Sequence, residues 1–142
     1  MKLRRNAATT AQHPVLTDSD VCGLAADLVG QAIRRQLWLL FLDRHDRPVP
    51  LLIPIDDVPE QPSDEGLAAL VGLACGAARE AEAVQLIVVW ERPGGVELSV
   101  EERELCARLE SAYPVEPEEG DDSPALRLRA QVLACSDGVA LV

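Results

Sequence analysis

Aromatic side chains are scarce in this 142-residue chain. Phe, Trp and Tyr make up only 3% of it, so the core has to be built from Leu, Val, Ile and Ala, and no aromatic platform for stacking nucleic-acid bases is available. Acidic residues (24) outnumber basic residues (13), which gives a formal net charge of -11. Because a negative field repels phosphate and gains nothing from counterion release, the composition argues against nucleic acid as a partner.

Long apolar runs are also missing. The longest ones, residues 37–42 and 84–90, fall far short of the roughly 18 residues that a membrane helix needs. Residues 1–5 carry the positive charge of a signal-peptide start, but small polar residues follow where an apolar core is required. These features predict a cytoplasmic protein without membrane association.

Cysteine and histidine occur without the spacing of a metal site. Cys22, Cys75, Cys106 and Cys135 lie about 30 to 50 residues apart and form no C-x-x-C pair. There are only two histidines, and His13 falls in the aperiodic N-terminal segment. We therefore predict four buried thiols and neither a metal nor another cofactor.

The length and the hydrophobic content indicate one domain. A chain of 142 residues with 48% hydrophobic residues is long enough for one core and too short for two. Residues 1–16 lack hydrophobic periodicity and are expected to form a flexible arm. Residues 17–142 are expected to form a single α/β domain. It begins with a helix, because Thr17 and Asp20 have capping-box spacing ahead of an apolar stripe of helical period.

A hairpin is predicted after this helix. Residues 37–42 form a continuous apolar run, a polar turn follows, and residues 49–55 form the second strand. Pro48, Pro50 and Pro54 each lack a backbone donor, which is tolerated only on the side of a strand that has no partner. The second strand is therefore expected at a sheet edge.

Two further helices and three further strands complete the predicted domain. Residues 67–78 carry one apolar helical face, and Ser99 with Glu102 has the spacing of a second capping box. The strands are a central one that is apolar on both faces, and then a closing hairpin: residues 84–90, 126–135 and 139–142. The order α-β-β-α-β-α-β-β predicts a three-layer α/β fold around one mixed sheet.

Three glycines, Gly66, Gly72 and Gly76, fall within the second predicted helix. In a helix interior each costs about 1 kcal/mol relative to Ala. Since glycine has no Cβ, a sheet can approach the helix backbone closely at such positions. We expect close packing against the sheet to offset the cost.

Residues 88–102 resemble the signature of RadC-like proteins in the JAB/MPN metallopeptidase group. In that family a strand ends in H-x-H-P-S-G, and S-x-x-D follows after a short gap at the start of a helix. Here Trp90 and Arg92 stand in place of the two zinc-binding histidines. Ser99 matches the serine, and Glu102 replaces the aspartate ligand.

The resemblance extends in outline over residues 37–142 and in detail over about 15 residues. Pro93 and Gly95 match the signature, and the gap from Gly95 to Ser99 is one residue shorter than in the family. The flanking strands and helices have a similar order. The resemblance implies a RadC/JAB-like, cytidine-deaminase-like fold.

The departures from the signature remove the chemistry of that family. Zinc needs deprotonated nitrogen, sulfur or oxygen ligands, and neither the indole of Trp90 nor the guanidinium of Arg92 supplies one. The glutamate that serves the family as acid and base has no counterpart in residues 49–55. The resemblance therefore implies a scaffold that has lost hydrolysis, in which Arg92 and Glu102 replace the metal by an ion pair.

We therefore expect a non-catalytic module that binds a protein partner or associates with itself. Two alternatives remain open. One is a small hydrolase that uses His45 with Asp43, Asp46 or Glu102, and it requires these side chains to meet in space. The other is a sensor of an anion or small ligand at the helix start near Ser99, where free backbone amides attract negative charge.

Overall fold

The computed structural model describes residues 13–30 and 32–142. Three helices and five strands follow one another in this part of the chain: α1 (Asp18–Val29), β1 (Gln36–Leu42), β2 (Pro48–Asp56), α2 (Asp64–Ala81), β3 (Gln85–Glu91), α3 (Val100–Ser111), β4 (Arg127–Cys135) and β5 (Gly138–Leu141). This is the order of elements that the sequence predicts. Residues 1–12 of the expected arm lie outside the described residues. Among the described helices, none is long and apolar enough to cross a membrane.

The five strands form one mixed sheet in the order β2-β1-β3-β4-β5. β1 pairs antiparallel with β2 and β3, β3 pairs parallel with β4, and β4 pairs antiparallel with β5. Both predicted hairpins and the central place of β3 are thus confirmed. Since β3 and β4 are parallel, their last residues, Glu91 and Cys135, lie at the same end of the sheet, which we call the carboxyl end. The other end is the amino end.

Strand β2 lies at an edge of the sheet, as its prolines predict. Pro48 is opposite Leu42 and Pro54 is opposite Trp38, and the register between the two strands shifts before Leu42. A proline can occupy these positions because its missing N–H faces away from the only neighbouring strand. The same prolines remove donors that an added strand would need, so they guard this edge against further pairing.

Helices cover both faces of the sheet and give the domain three layers. On one face, α1 contributes Val21, Leu24 and Ala25 to a core that includes Leu40 and Ile87. On the other face, helices α2 and α3 pack on side chains of β1 and β3 in a second core, which contains Ala74, Ala78, Leu109, Leu37, Phe41 and Val88. Nearly every side chain of β1 and β3 is buried. Successive residues of a strand point to opposite faces, so the two strands supply side chains to both cores.

The first capping box is present, but the packed domain begins before it. The Thr17 hydroxyl accepts from the amide of Asp20 (3.1 Å), and the Asp20 carboxylate accepts from the amide of Thr17 (3.1 Å). Val15, expected in the arm, is buried against the α1 core, and its amide donates to the carbonyl of Asp46 at 2.6 Å. An apolar side chain beside a helix start gains by burial, so the domain includes this residue.

The glycines of α2 do not pack against the sheet, contrary to expectation. A Cβ added at Gly72 or Gly76 would meet no heavy atom within 4 Å, and at Gly66 it would meet only the Ser63 hydroxyl (3.3 Å) and the Pro62 Cβ (3.8 Å). Gly72 and Gly76 are on the exposed side of α2, while Ala74 and Ala78 make the buried contacts. In the described structure, close packing therefore does not offset the destabilisation that these glycines cause in the helix.

Replacement of Gly72 or Gly76 by alanine is expected to stabilise the protein. Each change removes a helix-interior glycine without creating a clash, so the free energy of unfolding should rise by about 1 kcal/mol. Urea denaturation followed by circular dichroism measures this change. As the control, Gly94→Ala should be destabilising, because Gly94 has a φ of 106° that other residues rarely adopt. A Gly72→Ala variant less stable than the wild type would contradict the assignment of this face to solvent.

Candidate functional site

The positions that resemble the RadC signature lie at the carboxyl end of the sheet. Trp90 and Arg92 are alternate residues at the end of β3, so their side chains point to the same face, the one covered by α3. Glu102 is in the first turn of α3, and Ser99 is the residue that caps this helix. The fold therefore brings together the four positions that the sequence predicts, although they span thirteen residues of chain.

Arg92 and Glu102 form a largely buried ion pair. Arg92 Nε donates to Glu102 Oε2 at 2.6 Å, and Arg92 Nη2 donates to Glu102 Oε1 at 3.3 Å. The two side chains are only 12% and 16% exposed. Such a two-point contact between a guanidinium and a carboxylate fixes the geometry of both groups.

The rest of the guanidinium holds the loop that joins β3 to α3. Arg92 Nη1 donates to the carbonyls of Pro93 (3.2 Å) and Gly95 (2.8 Å), and Nη2 donates to the carbonyl of Glu97 (2.8 Å). All three nitrogens of the guanidinium thus donate within the protein. The loop is also tied to the turn after β4, because the amide of Gly94 donates to the Ser136 hydroxyl at 3.0 Å.

The second capping box forms as predicted and uses the same carboxylate. The Ser99 hydroxyl accepts from the amide of Glu102 at 3.1 Å, and Glu102 Oε1 accepts from the amide of Ser99 at 2.9 Å. The start of α3 therefore already has an internal anion at its positive end. This arrangement gives no support to a free-anion sensor near Ser99.

The environment of Glu102 keeps its carboxylate ionised. Burial by itself would raise the pKa of Glu102, but hydrogen bonds from Arg92 and from the Ser99 amide, together with the charges of Arg92 and Arg35, lower the pKa below its ordinary value. A carboxyl that stays charged is a poor general acid near neutral pH. Its role in this geometry is to hold Arg92 and the helix start.

A cavity of about 320 Å³ adjoins the ion pair. Trp90, Leu37, Leu105 and Val58 supply its apolar walls, and its polar lining includes Arg35, Asp57, Arg92 and Glu102. The indole N–H of Trp90 does not enter a metal site, since it donates to the Gln131 side chain at 3.0 Å.

A second buried carboxylate, Glu91, lies on the opposite face at the same end of the sheet. It is 3% exposed. Glu91 Oε1 accepts from the side chains of Gln36 (2.7 Å) and Trp38 (2.8 Å), and Oε2 accepts from the amides of Ile33 (3.0 Å) and Arg34 (3.4 Å). Four donors thus stabilise one charge that joins β3, β1 and the segment after α1.

The sequence gives no local signal for the role of Glu91. Its partners are about 55 residues away in the chain, as the separations of 53 and 55 for Trp38 and Gln36 show. The only available hint is a charged residue directly after the apolar run of residues 84–90. Recognising its partners requires the register in which Gln36 lies opposite Glu91.

The residues of the site do not fit the zinc ion that the resemblance implies for its family. Trp90 and Arg92 both donate hydrogen bonds and have no lone pair for a metal. Glu102 is the only potential ligand among the four positions, and both of its oxygens accept from Arg92. In residues 13–30 and 32–142, no group of three His, Cys, Asp or Glu side chains is arranged to hold a metal ion.

His45 lies far from Glu102, one of its three proposed catalytic partners. His45 is in the turn after β1 at the amino end of the sheet, whereas Glu102 is at the carboxyl end, roughly 20 Å away along the seven residues of β1. The Asp43 carboxylate accepts from the amides of His45 and Arg47, and the Asp46 carboxylate accepts from Gln85. The topology of the sheet therefore separates His45 from Glu102 and leaves Asp43 and Asp46 as the partners of His45 in the hydrolase alternative.

His45 does line a cavity of about 680 Å³ at the amino end of the sheet. Its imidazole Nε2 accepts from the Arg44 guanidinium at 3.3 Å. Cys75 also lines this cavity, and burial raises the pKa of its thiol, which makes it a weaker nucleophile.

The four cysteines are free thiols, and only two of them are buried. Cys106 and Cys135 are buried as predicted, whereas Cys22 and Cys75 are partly exposed. Burial, with the nearby charges of Glu102 and Glu110, raises the pKa of Cys106 to about 11. A thiol with this pKa is protonated at neutral pH and is chemically inert.

Comparison with known proteins adds no family assignment. The chain matches no protein-family model, and no curated protein matches it. The assignment of the site therefore depends on its geometry.

Removal of Arg92 is expected to destabilise the protein strongly. Arg92→Ala leaves the largely buried Glu102 carboxylate with only the Ser99 amide as a donor and removes the donor of three loop carbonyls, which should cost about 3 kcal/mol or more. Arg92→Lys should recover only part of this loss, because one ammonium group cannot replace the guanidinium fork. Urea unfolding of the single variants and of Arg92→Ala/Glu102→Ala measures the coupling.

The matched control for this cycle is Arg79→Ala. Arg79 pairs with Asp121 at 3.4 Å, but its side chain is well exposed, so its loss should cost no more than about 1 kcal/mol. Equal and small effects of Arg92→Ala and Arg79→Ala would show that the buried pair does not hold the site.

Stability at low pH should depend on Glu91. Burial would raise the pKa of Glu91, but the hydrogen bonds from Trp38, Ile33, Gln36 and Arg34 lower it below its ordinary value. Its contribution is therefore complete above about pH 4.5, the region of the unfolded pKa, and is lost as the pH falls through the lower folded pKa. Glu91→Gln should cost roughly 2 kcal/mol or more at pH 7, since an amide cannot accept from all four donors.

Unfolding of wild type and Glu91→Gln from pH 7 to pH 3 measures this difference. The gap between the two proteins should narrow on acidification. Glu118→Gln, in the exposed loop before β4, is the control and should change stability by less than about 0.5 kcal/mol at every pH. A gap that stays constant down to pH 3 would argue against the ionised state of Glu91.

Proposed function

We propose that this protein is a non-catalytic module that binds another protein, built on a metal-free, degenerate relative of the RadC/JAB-like scaffold. The observation that carries the proposal is the complete use of Arg92. Its guanidinium donates to Glu102 and to three carbonyls. Arg92, which stands in place of a zinc ligand in the resemblance, then fixes the loop after β3 and has no free donor for a substrate.

The arrangement of the elements supports the proposed scaffold. The hairpin, the helix α2, the signature strand β3, its capped helix α3 and the closing strands occur in the order expected for the resemblance. Trp90, Arg92 and Glu102 line one cavity. We also propose that the fold is related to that of cytidine deaminases and that the protein is cytoplasmic.

Charge favours a partner protein over self-association. A chain with a formal charge of -11 repels a second copy of itself unless the interface is large and apolar, whereas it attracts a basic partner. The edge strand β2 also lacks the N–H donors of Pro48, Pro50 and Pro54 for pairing with another strand. The proposed partner therefore binds away from this edge.

Native mass spectrometry tests the proposal in two arms. The protein isolated from its own host should carry a stoichiometric protein partner and no metal. In the second arm, the variant Trp90→His/Arg92→His/Glu102→Asp restores the ligand types of the RadC signature and should bind one Zn²⁺ per chain. The control lacks one ligand, Arg92→His/Glu102→Asp, and should bind zinc at least tenfold more weakly.

Each arm can overturn one part of the proposal. Both variants lack Arg92 and its contacts to the loop after β3, so circular dichroism first establishes that they are folded. If the folded triple variant binds zinc no better than the control, the scaffold is not RadC/JAB-like. If the wild-type protein carries a metal and hydrolyses peptide or isopeptide bonds in a Glu102-dependent way, the module is an enzyme.

A further inference from the structure

The cavity beside the ion pair has the form of a pocket for one apolar side chain. Its walls are Leu37, which is fully buried, Leu105, which is buried, and the partly exposed Val58 and Trp90. Its volume of about 320 Å³ is at the lower limit of small-molecule sites, which span roughly 300 to 1,000 Å³. An apolar centre with a polar margin is the form of an anchor pocket in a protein interface.

Exposed apolar side chains lie at the same end of the sheet. Ile33, Val96 and Val100 are each at least half exposed. The Ile33 amide donates to Glu91, Val96 is in the loop held by Arg92, and Val100 begins α3. These side chains add exposed apolar area to the end of the sheet that holds the pocket.

The charge around this surface is negative. Residues 33–36, 56–60 and 91–104 contain eight acidic side chains, of which Glu91 is buried, and four arginines. Arg34, Arg35 and Arg92 are already paired with acids of the same surface: Asp56, Glu60 and Glu102. Asp57 and Glu97 have no ion pair among the described residues, so their charge is available to a partner.

We infer that this pocket receives an apolar side chain from a basic, extended segment of the partner protein. The inference rests on the proposed function as a protein-binding module. The apolar anchor fills the space between Val58, Trp90 and Leu105. Basic residues on either side of the anchor meet Asp57 and Glu97. A second copy of this chain is the less suitable occupant, because its own net charge is negative.

Selection from a random peptide library on the immobilised full-length protein tests the inference. Enriched peptides should contain one large apolar residue flanked by Lys or Arg. Their affinity, measured by fluorescence anisotropy on synthetic copies, should fall at least tenfold in Val58→Trp, which fills the pocket. It should also fall at least tenfold when the central apolar residue of the peptide is changed to Ser.

A second variant keeps the test valid if Val58→Trp does not fold. Asp57→Asn/Glu97→Gln removes two charges, and Asn tolerates the positive φ of 61° at position 57. It should weaken binding about fivefold or more and reduce the salt dependence. The control, Glu118→Gln/Asp122→Asn, removes two charges from the loop before β4 and should leave binding unchanged.

The outcomes separate this inference from the proposed function. Enrichment of acidic peptides, no enrichment, or equal binding by wild type and both pocket variants would overturn the pocket. The partner found by native mass spectrometry is then tested with the same variants. If the pocket variants retain this partner, the protein is still a protein-binding module and only the inference about the pocket is overturned. If no partner is found, both the proposed function and the inference about the pocket are overturned.

Discussion

Two adjacent residues at the end of the central strand hold the two faces of this domain together. Glu91 points to the α1 face and gathers four donors, while Arg92 points to the α3 face and donates to a carboxylate and three carbonyls. A strand sends successive side chains to opposite faces, so one dipeptide organises both sides of the carboxyl end. The loops around this end take their positions from these two charges.

Both charges are sequestered, and each is tolerable only because its partners are complete. A buried ion without its donors costs several kcal/mol, whereas a satisfied ion adds little net stability but specifies the arrangement around it. The capping box of Ser99 and Glu102 shows this coupling, because the carboxylate that caps α3 is the one that pairs with Arg92. Helix start, loop and strand end therefore share one set of contacts.

The features that could be predicted from the sequence are those that depend on residues close together in the chain. The capping boxes at Thr17 and Ser99, the edge strand with its prolines and the apolar central strand depend on near neighbours, and the structure has them. The role of Glu91 and the core position of Val15 depend on residues far away in the chain. The exposure of Gly72 and Gly76 could not be read either, since it depends on which face of α2 meets the sheet.

The same contacts support the proposal of a binding module over that of an enzyme. Catalysis needs a group that changes its protonation or coordination during the reaction, whereas Arg92 and Glu102 are fixed by pairing with each other. A rigid end with an apolar pocket, exposed apolar side chains and an unpaired acidic margin requires no such change. A binding surface gains affinity from this rigidity, because a preorganised pocket loses little conformational entropy when a partner docks.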